Sequence, residues 1–200
     1  MRTTRGRLVA GTAAATLLLG GGVATGAQLL PGAGAVDRPS TGSGMGSAMP
    51  GMARSADAMF AVQMAVHHES AVQMARLAGQ RAQRPEVREL ARDIERTQTA
   101  EIAQLRAAAT RLGTDPDGPT GGMGSGMAGM GSHTDLAGAP DDQFDRAFLE
   151  AMIPHHLMGV HMAQMVQRAG SDEQISAMAA EMVRVQTDEI SLMQDWLDEQ

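Results

Sequence analysis

The chain predicts an all-α fold, a four-helix bundle assembled from two repeated helical hairpins, and three observations carry that expectation. The first is an internal duplication. FAVQMAVHHESAVQMA from Phe60 recurs 88 residues later as FLEAMIPHHLMGVHMA from Phe148, so Phe60, Met64, His67, His68, Val72, Met74 and Ala75 match Phe148, Met152, His155, His156, Val160, Met162 and Ala163. The register continues in IERTQTAEI and MVRVQTDEI, where Arg96, Gln98, Thr99, Glu101 and Ile102 match Arg184, Gln186, Thr187, Glu189 and Ile190. A duplication that keeps the same polar residues suggests one architecture built twice around one chemistry. The second observation is that apolar residues recur at three-four spacing in four separate stretches, the signature of one helical face. The third is their grouping: the stretches fall into two pairs, each joined by a short turn and the pairs separated by a long Gly-rich segment.

Residues 1–35 read as a targeting segment. Arg2, Arg5 and Arg7 precede an apolar run from Leu8 to Leu30, and Ala33-Gly34-Ala35 offers a small-residue cleavage site. The alternative is an uncleaved membrane anchor, because the run is long enough to cross a bilayer. Either reading sends the repeats to an exported compartment, secreted, in the cell envelope or anchored facing outside. Residues 36–56 are rich in Gly, Ser, Pro and Met without hydrophobic period and read as a flexible tether. Asp57 is placed to cap the first helix, whose stripe runs through Phe60, Met64, His67, Ala71, Met74 and Ala78. The chain turns at Arg84-Pro85-Glu86, and Pro85 suits a first helical turn. A second stripe follows through Val87, Leu90, Ile94, Gln98, Glu101, Leu105, Ala108 and Leu112, and Gly113 ends it. Repeat one thus spans 57–112. The linker 113–140 is too long and too Gly-rich for an ordinary helix connection.

Repeat two spans 141–198 within a bundle of 57–200. Asp141 or Asp142 restarts a helix through Phe144, Phe148, Met152, His155, Gly159, Met162 and Val166, with Pro154 either kinking it or marking its true start. Gly170-Ser171 closes that helix. The last stripe is Ile175, Met178, Met182, Gln186, Glu189, Met193 and Trp196. Helices of about 25 residues run roughly 37 Å, and four with wide apolar faces pack most economically as a bundle. The linker is long enough for a crossover along the bundle or for a loop in an up-and-down arrangement.

Composition narrows the chemistry. The chain has no Cys, so disulfides, thiolate metal sites and cysteine nucleophiles are excluded. It has 17 Met, no Tyr and no Lys, and its net charge of −7 argues against a nucleic-acid partner. Counted from the two turns, His67 falls level with Gln98 and Glu101, and His155 with Gln186 and Glu189. Each hairpin should therefore carry an imidazole, an amide and a carboxylate in one interior layer, where unpaired polar groups are costly. Adjacent histidines point about 100° apart on a helix, so each pair needs partners one turn away. Met64, three before His67 and four before His68, is such a partner, Met152 repeats this for His155 and His156, and His161 sits between Met158 and Met165 at the same spacings, with Met74 and Met162 of the repeated pattern as further candidate ligands. Imidazole with thioether and no thiolate suits copper, Cu(I) ahead of Cu(II), with silver as a further soft ion. Gln98, Glu101, Gln186 and Glu189 then fall outside the ligands as supporting groups.

Methionine on a helical stripe is ordinarily core, and a buried histidine is ordinarily hydrogen-bonded. His67 with Glu101 and His155 with Glu189 would satisfy that plainer reading. The linkers favour the metal. Met123, Met127, Met130 and His133 stand in a Gly/Ser segment with no core to pack, as do Met45, Met49 and Met52, and spacings of three and four let a chain wrap thioethers round one soft ion.

The pattern D-x-x-F-x-x-x-M-x-x-H-H-x-x-A-x-x-M-A resembles the repeat of domain-of-unknown-function family 305, exported bacterial proteins with a ferritin-like fold. Here it reads Asp57, Phe60, Met64, His67, His68, Ala71, Met74 and Ala75, then Asp145, Phe148, Met152, His155, His156, Gly159, Met162 and Ala163, with Gly159 a departure from Ala. Gln186, Glu189, Ile190, Met193, Trp196 and Leu197 are similar to the family's Q-x-x-E-I-x-x-M-x-x-W-L element, whereas the first copy has Leu105 and Ala108 in place of Met and Trp. The resemblance implies a ferritin-like bundle over 57–198 and agrees with copper binding and tolerance, in which some members are implicated.

Three functions compete on this reading. One is an exported copper-binding protein, not an enzyme, for sequestration, tolerance or transfer of the metal, with homo-oligomers compatible and membrane contact only through an uncleaved N-terminus. Another is a metal-free structural or interaction module with buried His67-Glu101 and His155-Glu189 pairs. A di-iron enzyme fits poorly, since no Glu stands three residues before any His.

Overall fold

The computed structural model describes residues 50–118 and 136–199. The targeting segment 1–35, the tether up to residue 49 and the linker set Met123, Met127, Met130 and His133 lie outside the described residues. Four α-helices make the bundle: α1 (Pro50–Arg81), α2 (Pro85–Arg111), α3 (Phe144–Ala169) and α4 (Glu173–Asp198), with a 3-10 turn at Asp141–Gln143 leading into α3. This is the expected all-α arrangement of two hairpins, in which α1 packs on α2, α3 on α4, and α1 on α3.

Local sequence explains most boundaries. Pro85 opens α2 after an extended Arg84, and Asp172 caps α4 by accepting a hydrogen bond from the Ile175 amide. Pro154 lies inside α3 and is exposed, so the helix neither starts nor stops there. The hydrogen bond that a proline removes falls on the solvent side, where the freed carbonyl can be hydrated.

Asp57 departs from expectation. Helix α1 begins at Pro50, ahead of Asp57, so the end of the stretch read as a tether is helical and Asp57 does not cap its own helix. Its buried carboxylate instead accepts the amides of Ser171 (2.8 Å) and Asp172 (3.0 Å), capping α4 of the other hairpin. The symmetry-related Asp145 accepts the amides of Gln83 (2.8 Å) and Arg84 (2.7 Å) at the start of α2. A free helix N-terminus presents orphan N–H groups and a partial positive charge, and a fixed carboxylate answers both. Gly170 makes room for the first of these caps, because a Cβ there would overlap Asp57 Oδ1.

These contacts determine the topology. The start of α1 lies beside the α3–α4 turn, and the end of α1 lies beside the start of α3, so α1 and α3 are antiparallel. Arg111 at the end of α2 pairs bidentately with Asp172 at the start of α4 (2.7 and 2.8 Å). The end of α2 and the start of α3 therefore sit at opposite ends of the bundle. The connection between them is a long crossover, the ferritin-like choice rather than an up-and-down loop. Arg81 secures its arriving end through Ala137 O (2.9 Å), Ala139 O (2.6 Å) and Asp141 (2.7 Å), and stacks over Phe144.

The buried apolar side chains form two clusters rather than one. Met74, Leu90, Ile94, Phe144, Phe148, Met152 and Met193 belong to the first, towards the α1–α2 turn. Phe60, Met64, Leu105, Ile175, Met178 and Met182 belong to the second, towards the α3–α4 turn. On every helix the break falls at the same level: after Ala65, after Ile94, after Met152 and after Met182.

Replacing Asp57 or Asp145 by Ala leaves two helix-terminal amides without an acceptor, and hydrogen bonds to a charged group carry about 2 kcal/mol. Urea unfolding should show each single variant destabilised by about that amount, and the double variant by nearly the sum, since the two caps sit at opposite ends. Losses below about 0.5 kcal/mol in both single variants would refute the capping role.

Candidate functional site

Polar side chains fill the gap between the two apolar clusters. His67, His68, Gln98, His155, His156 and Gln186 are all buried, and His68 and His156 are completely so. The helical spacing of the two copies puts the same set at the same height in each hairpin, as the sequence predicts.

The division of labour within each His-His pair differs from the expected one. Glu101 pairs with His68, not His67, through Nε2 at 2.8 Å. Glu189 pairs with His156, not His155, through Nε2 at 2.7 Å. Adjacent residues diverge by about 100° around the helix, so only one of each pair can face its own hairpin partner. The other two face each other. His67 and His155 stack with ring centroids 3.8 Å apart and planes tilted by 33°, where α1 meets α3. The level arithmetic identified the layer but could not say which imidazole turned which way.

The hydrogen bonding sets the chemistry. Glu101 and Glu189 take up Nε2 of His68 and His156, so on each ring Nδ1 is the atom left for another partner. Both Nδ1 atoms are buried and have no partner among the described residues. The same holds for Nδ1 and Nε2 of His67, Nδ1 of His155, and Oε1 of Gln98 and Gln186. Such an accumulation of unsatisfied atoms in one layer is unusual, because nearly all buried polar groups in native proteins are paired. Glu101 and Glu189 are themselves partly exposed, each at 16 %, and connect the layer to the surface.

Gly159 belongs to this layer by what it lacks. A Cβ there would overlap Gln186 Oε1 and come within 3.2 Å of His67 Cε1, so the departure from Ala in the second copy creates space for that amide. Met64, Met74 and Met152 are fully buried immediately above and below the layer, and Met162 is partly buried against the second apolar cluster. His161 does not join them: it is exposed on the outer face of α3, because five residues beyond His156 the helix has turned by about 500°, some 140° away. Asp57 and Asp145, which brace the layer from its two ends, escaped sequence reasoning as cross-hairpin caps; the signal for them was their recurrence three residues before each Phe. Among the described residues no three His, Asp or Glu side chains converge as a metal cage, so soft-ion ligation here would need sulfur beside imidazole.

Burial pushes His67 down to about 3, with the nearby His68 and His156 charges adding to it. His155 is pushed down to about 2, again by burial first and by His67 next. Both rings are therefore neutral at physiological pH. An unfolded chain protonates these imidazoles near 6.5 whereas the folded chain does not, so their contribution is complete above pH 6.5 and is lost as pH falls below it. The metal-free protein should lose stability on acidification from pH 6.5 to 5, by at most roughly 1.4 kcal/mol per pH unit for each ring. Thermal melts at stepped pH test this, and a His67→Leu/His155→Leu variant should show a markedly flatter profile. An equally steep profile in that variant would rule the pair out as the source.

The chain is similar to several solved structures over most of their length. CopM with Cu(I) bound is 30% identical, with a TM-score of 0.62, over 72% of this chain and 96% of CopM. CopM is also known bound to Cu(II), bound to silver and in the apo form. A DUF305 protein of Streptomyces coelicolor is 32% identical, with a TM-score of 0.65, over 74% of this chain and 93% of its own. A DUF305 fragment from Deinococcus radiodurans is 30% identical, with a TM-score of 0.64, over 72% and 97%. No curated protein matches the chain. The sequence profile of DUF305, a domain of unknown function, matches residues 57–197, and with the shared fold and the repeated His-His layer the chain belongs to that family.

Proposed function

We propose that this chain is an exported copper-binding protein that sequesters or passes on the metal, and that the polar layer is its principal site. The observation that carries this reading is the set of buried imidazole nitrogens between the two apolar clusters that have no partner among the described residues. Carboxylate–imidazole–metal arrangements use an outer acid to orient the ring and raise its basicity, and Glu101–His68 and Glu189–His156 supply that half of the design. His67 and His155 would contribute from the contact between α1 and α3, which makes the centre a property of the whole bundle rather than of one hairpin. Met64 and Met152, one turn from the histidines, and Met74 and Met162 on the opposite sides supply thioether sulfur, which favours Cu(I) over Cu(II) and accommodates silver. Similarity to CopM, known with Cu(I), Cu(II) and silver bound, supports the choice of metal.

Export rests on the N-terminal pattern of Arg2, Arg5 and Arg7 before an apolar run. No helix among the described residues is long and apolar enough to cross a membrane. In the linker, Met123, Met127, Met130 and His133 would act as a capture arm. The site is read as one for binding, not catalysis.

A second reading is favoured by the two His-Glu pairs themselves: a metal-free module whose layer specifies how the hairpins meet. The two readings part under a cuprous titration. Under reducing conditions, competition with a chromogenic Cu(I) chelator should show tight binding that falls by at least roughly ten-fold when His67, His68, His155 and His156 are all changed to Ala. Binding at a hundred times the Kd should also stabilise the protein by about 2.7 kcal/mol, a rise of roughly 5–10 °C in Tm. Unchanged melting with Cu(I), together with equal affinity in the variant, would leave only the structural module standing.

A further inference from the structure

The soft ligands of this chain are not all inside. On the outer face of α3, His161 is exposed, Met165 is 50 % exposed and Met158 is partly exposed. His161 follows Met158 by three residues and precedes Met165 by four, so the three side chains leave the helix within an arc of about 60° on successive turns. None belongs to either apolar cluster. Packing, the ordinary reason for methionine on a helix, therefore does not account for a thioether held half in water.

The duplication isolates the feature. Positions equivalent to Met158, His161 and Met165 in the first copy are Ser70, Gln73 and Leu77, which offer neither sulfur nor imidazole. The residues that build the interior layer recur in both copies, whereas these three ligand-type residues appear together only in the second. Two thioethers flanking one imidazole can converge on a single ion because methionine is long, unbranched and adaptable at three torsions. The set has no carboxylate, so it selects a soft monovalent cation over magnesium, calcium or zinc.

We infer that Met158, His161 and Met165 form a second, solvent-facing site on α3 for one Cu(I) or Ag(I) ion, separate from the buried layer. The inference builds on the soft-metal reading above but uses none of the same residues. A site of this kind exchanges its ion rapidly with solvent, which the enclosed layer cannot do without opening of the helices.

Silver is the useful probe because it needs no reductant. Native mass spectrometry and isothermal titration of the full chain would count Ag(I), and carbon–proton correlation spectra would follow the methionine methyl groups. The variant Met158→Leu/His161→Gln/Met165→Leu changes exposed or half-exposed positions and should melt like wild type. It should bind one Ag(I) fewer, with the Met158 and Met165 methyl signals of the wild type shifting on titration. His161→Ala alone should weaken that one site by at least roughly ten-fold. A His67→Leu/His155→Leu variant should keep it. Undiminished stoichiometry in the triple variant, or unmoved Met158 and Met165 methyl signals at saturation, would overturn the outer site. If binding is then lost only in the His67/His155 variant, the buried centre survives; if neither variant alters binding, both sites fall.

Discussion

The bundle turns on the contact between His67 and His155. Two neutral rings stacked 3.8 Å apart where α1 meets α3 put polar atoms at the centre of a protein that has few aromatic side chains with which to build a core. Everything else in the layer follows from that placement. Once His67 and His155 face each other, His68 and His156 face their own hairpin partners, where Glu101 and Glu189 hold them. The apolar core is then divided, because no hydrophobic side chain can be continuous through the level these residues occupy.

A divided core needs support at its ends, and the chain supplies it symmetrically. Asp57 reaches from the first hairpin to cap the second, and Asp145 reaches back to cap the first. These are the strong links between hairpins whose mutual contact is otherwise made by α1 on α3. Arg111 adds to one of them by donating to Asp172, a bond that holds the Asp172 carboxyl below the usual carboxylate range. The duplication is not perfectly symmetric, however. Gly159 stands where the first copy has Ala71, and the missing methyl is occupied by the Gln186 amide.

Much of this was legible in the residues. The stripes Phe60 to Ala78 and Val87 to Leu112 are local signals, since helical periodicity is written in short-range spacing, and the layer followed because antiparallel hairpins conserve height from their turns. What escaped was orientation about the helix axis relative to a neighbour whose position sequence does not encode. His67 and His68 are equivalent in height and differ only in azimuth, so the Glu101 partner could be assigned to either. Asp57 was misread for a related reason: before a helix stripe, an aspartate ordinarily caps its own helix, and only the approach of the other hairpin's turn makes it cap a different one. The crossover likewise depends on which bundle end each hairpin occupies, and linker length permitted both arrangements. His161 has the spacing to Met158 and Met165 that the sequence shows, but five residues of helix carry it away from the paired histidines to the outer face.

On the proposed reading, the layer couples stability to binding. Buried imidazoles without partners weaken the folded state, and a ligand that satisfies them would restore what the chain gives up. That coupling works only if the metal-free bundle stays folded, which is the physical role of the reciprocal aspartate caps: they hold the helices in register from outside the layer, so the centre can remain unsatisfied without collapsing or slipping. Filling the centre with Leu and Phe would make a simpler bundle, and replacing buried polar groups by well-packed apolar ones of similar volume is often neutral or stabilising. The chain instead keeps the same histidines, glutamines and glutamates in both copies. A layer that is unfavourable in isolation, duplicated intact and braced from both ends is the arrangement expected of a binding centre, and on the proposed reading it is the unsatisfied imidazole nitrogens, not any surplus of contacts, that a soft ion would satisfy.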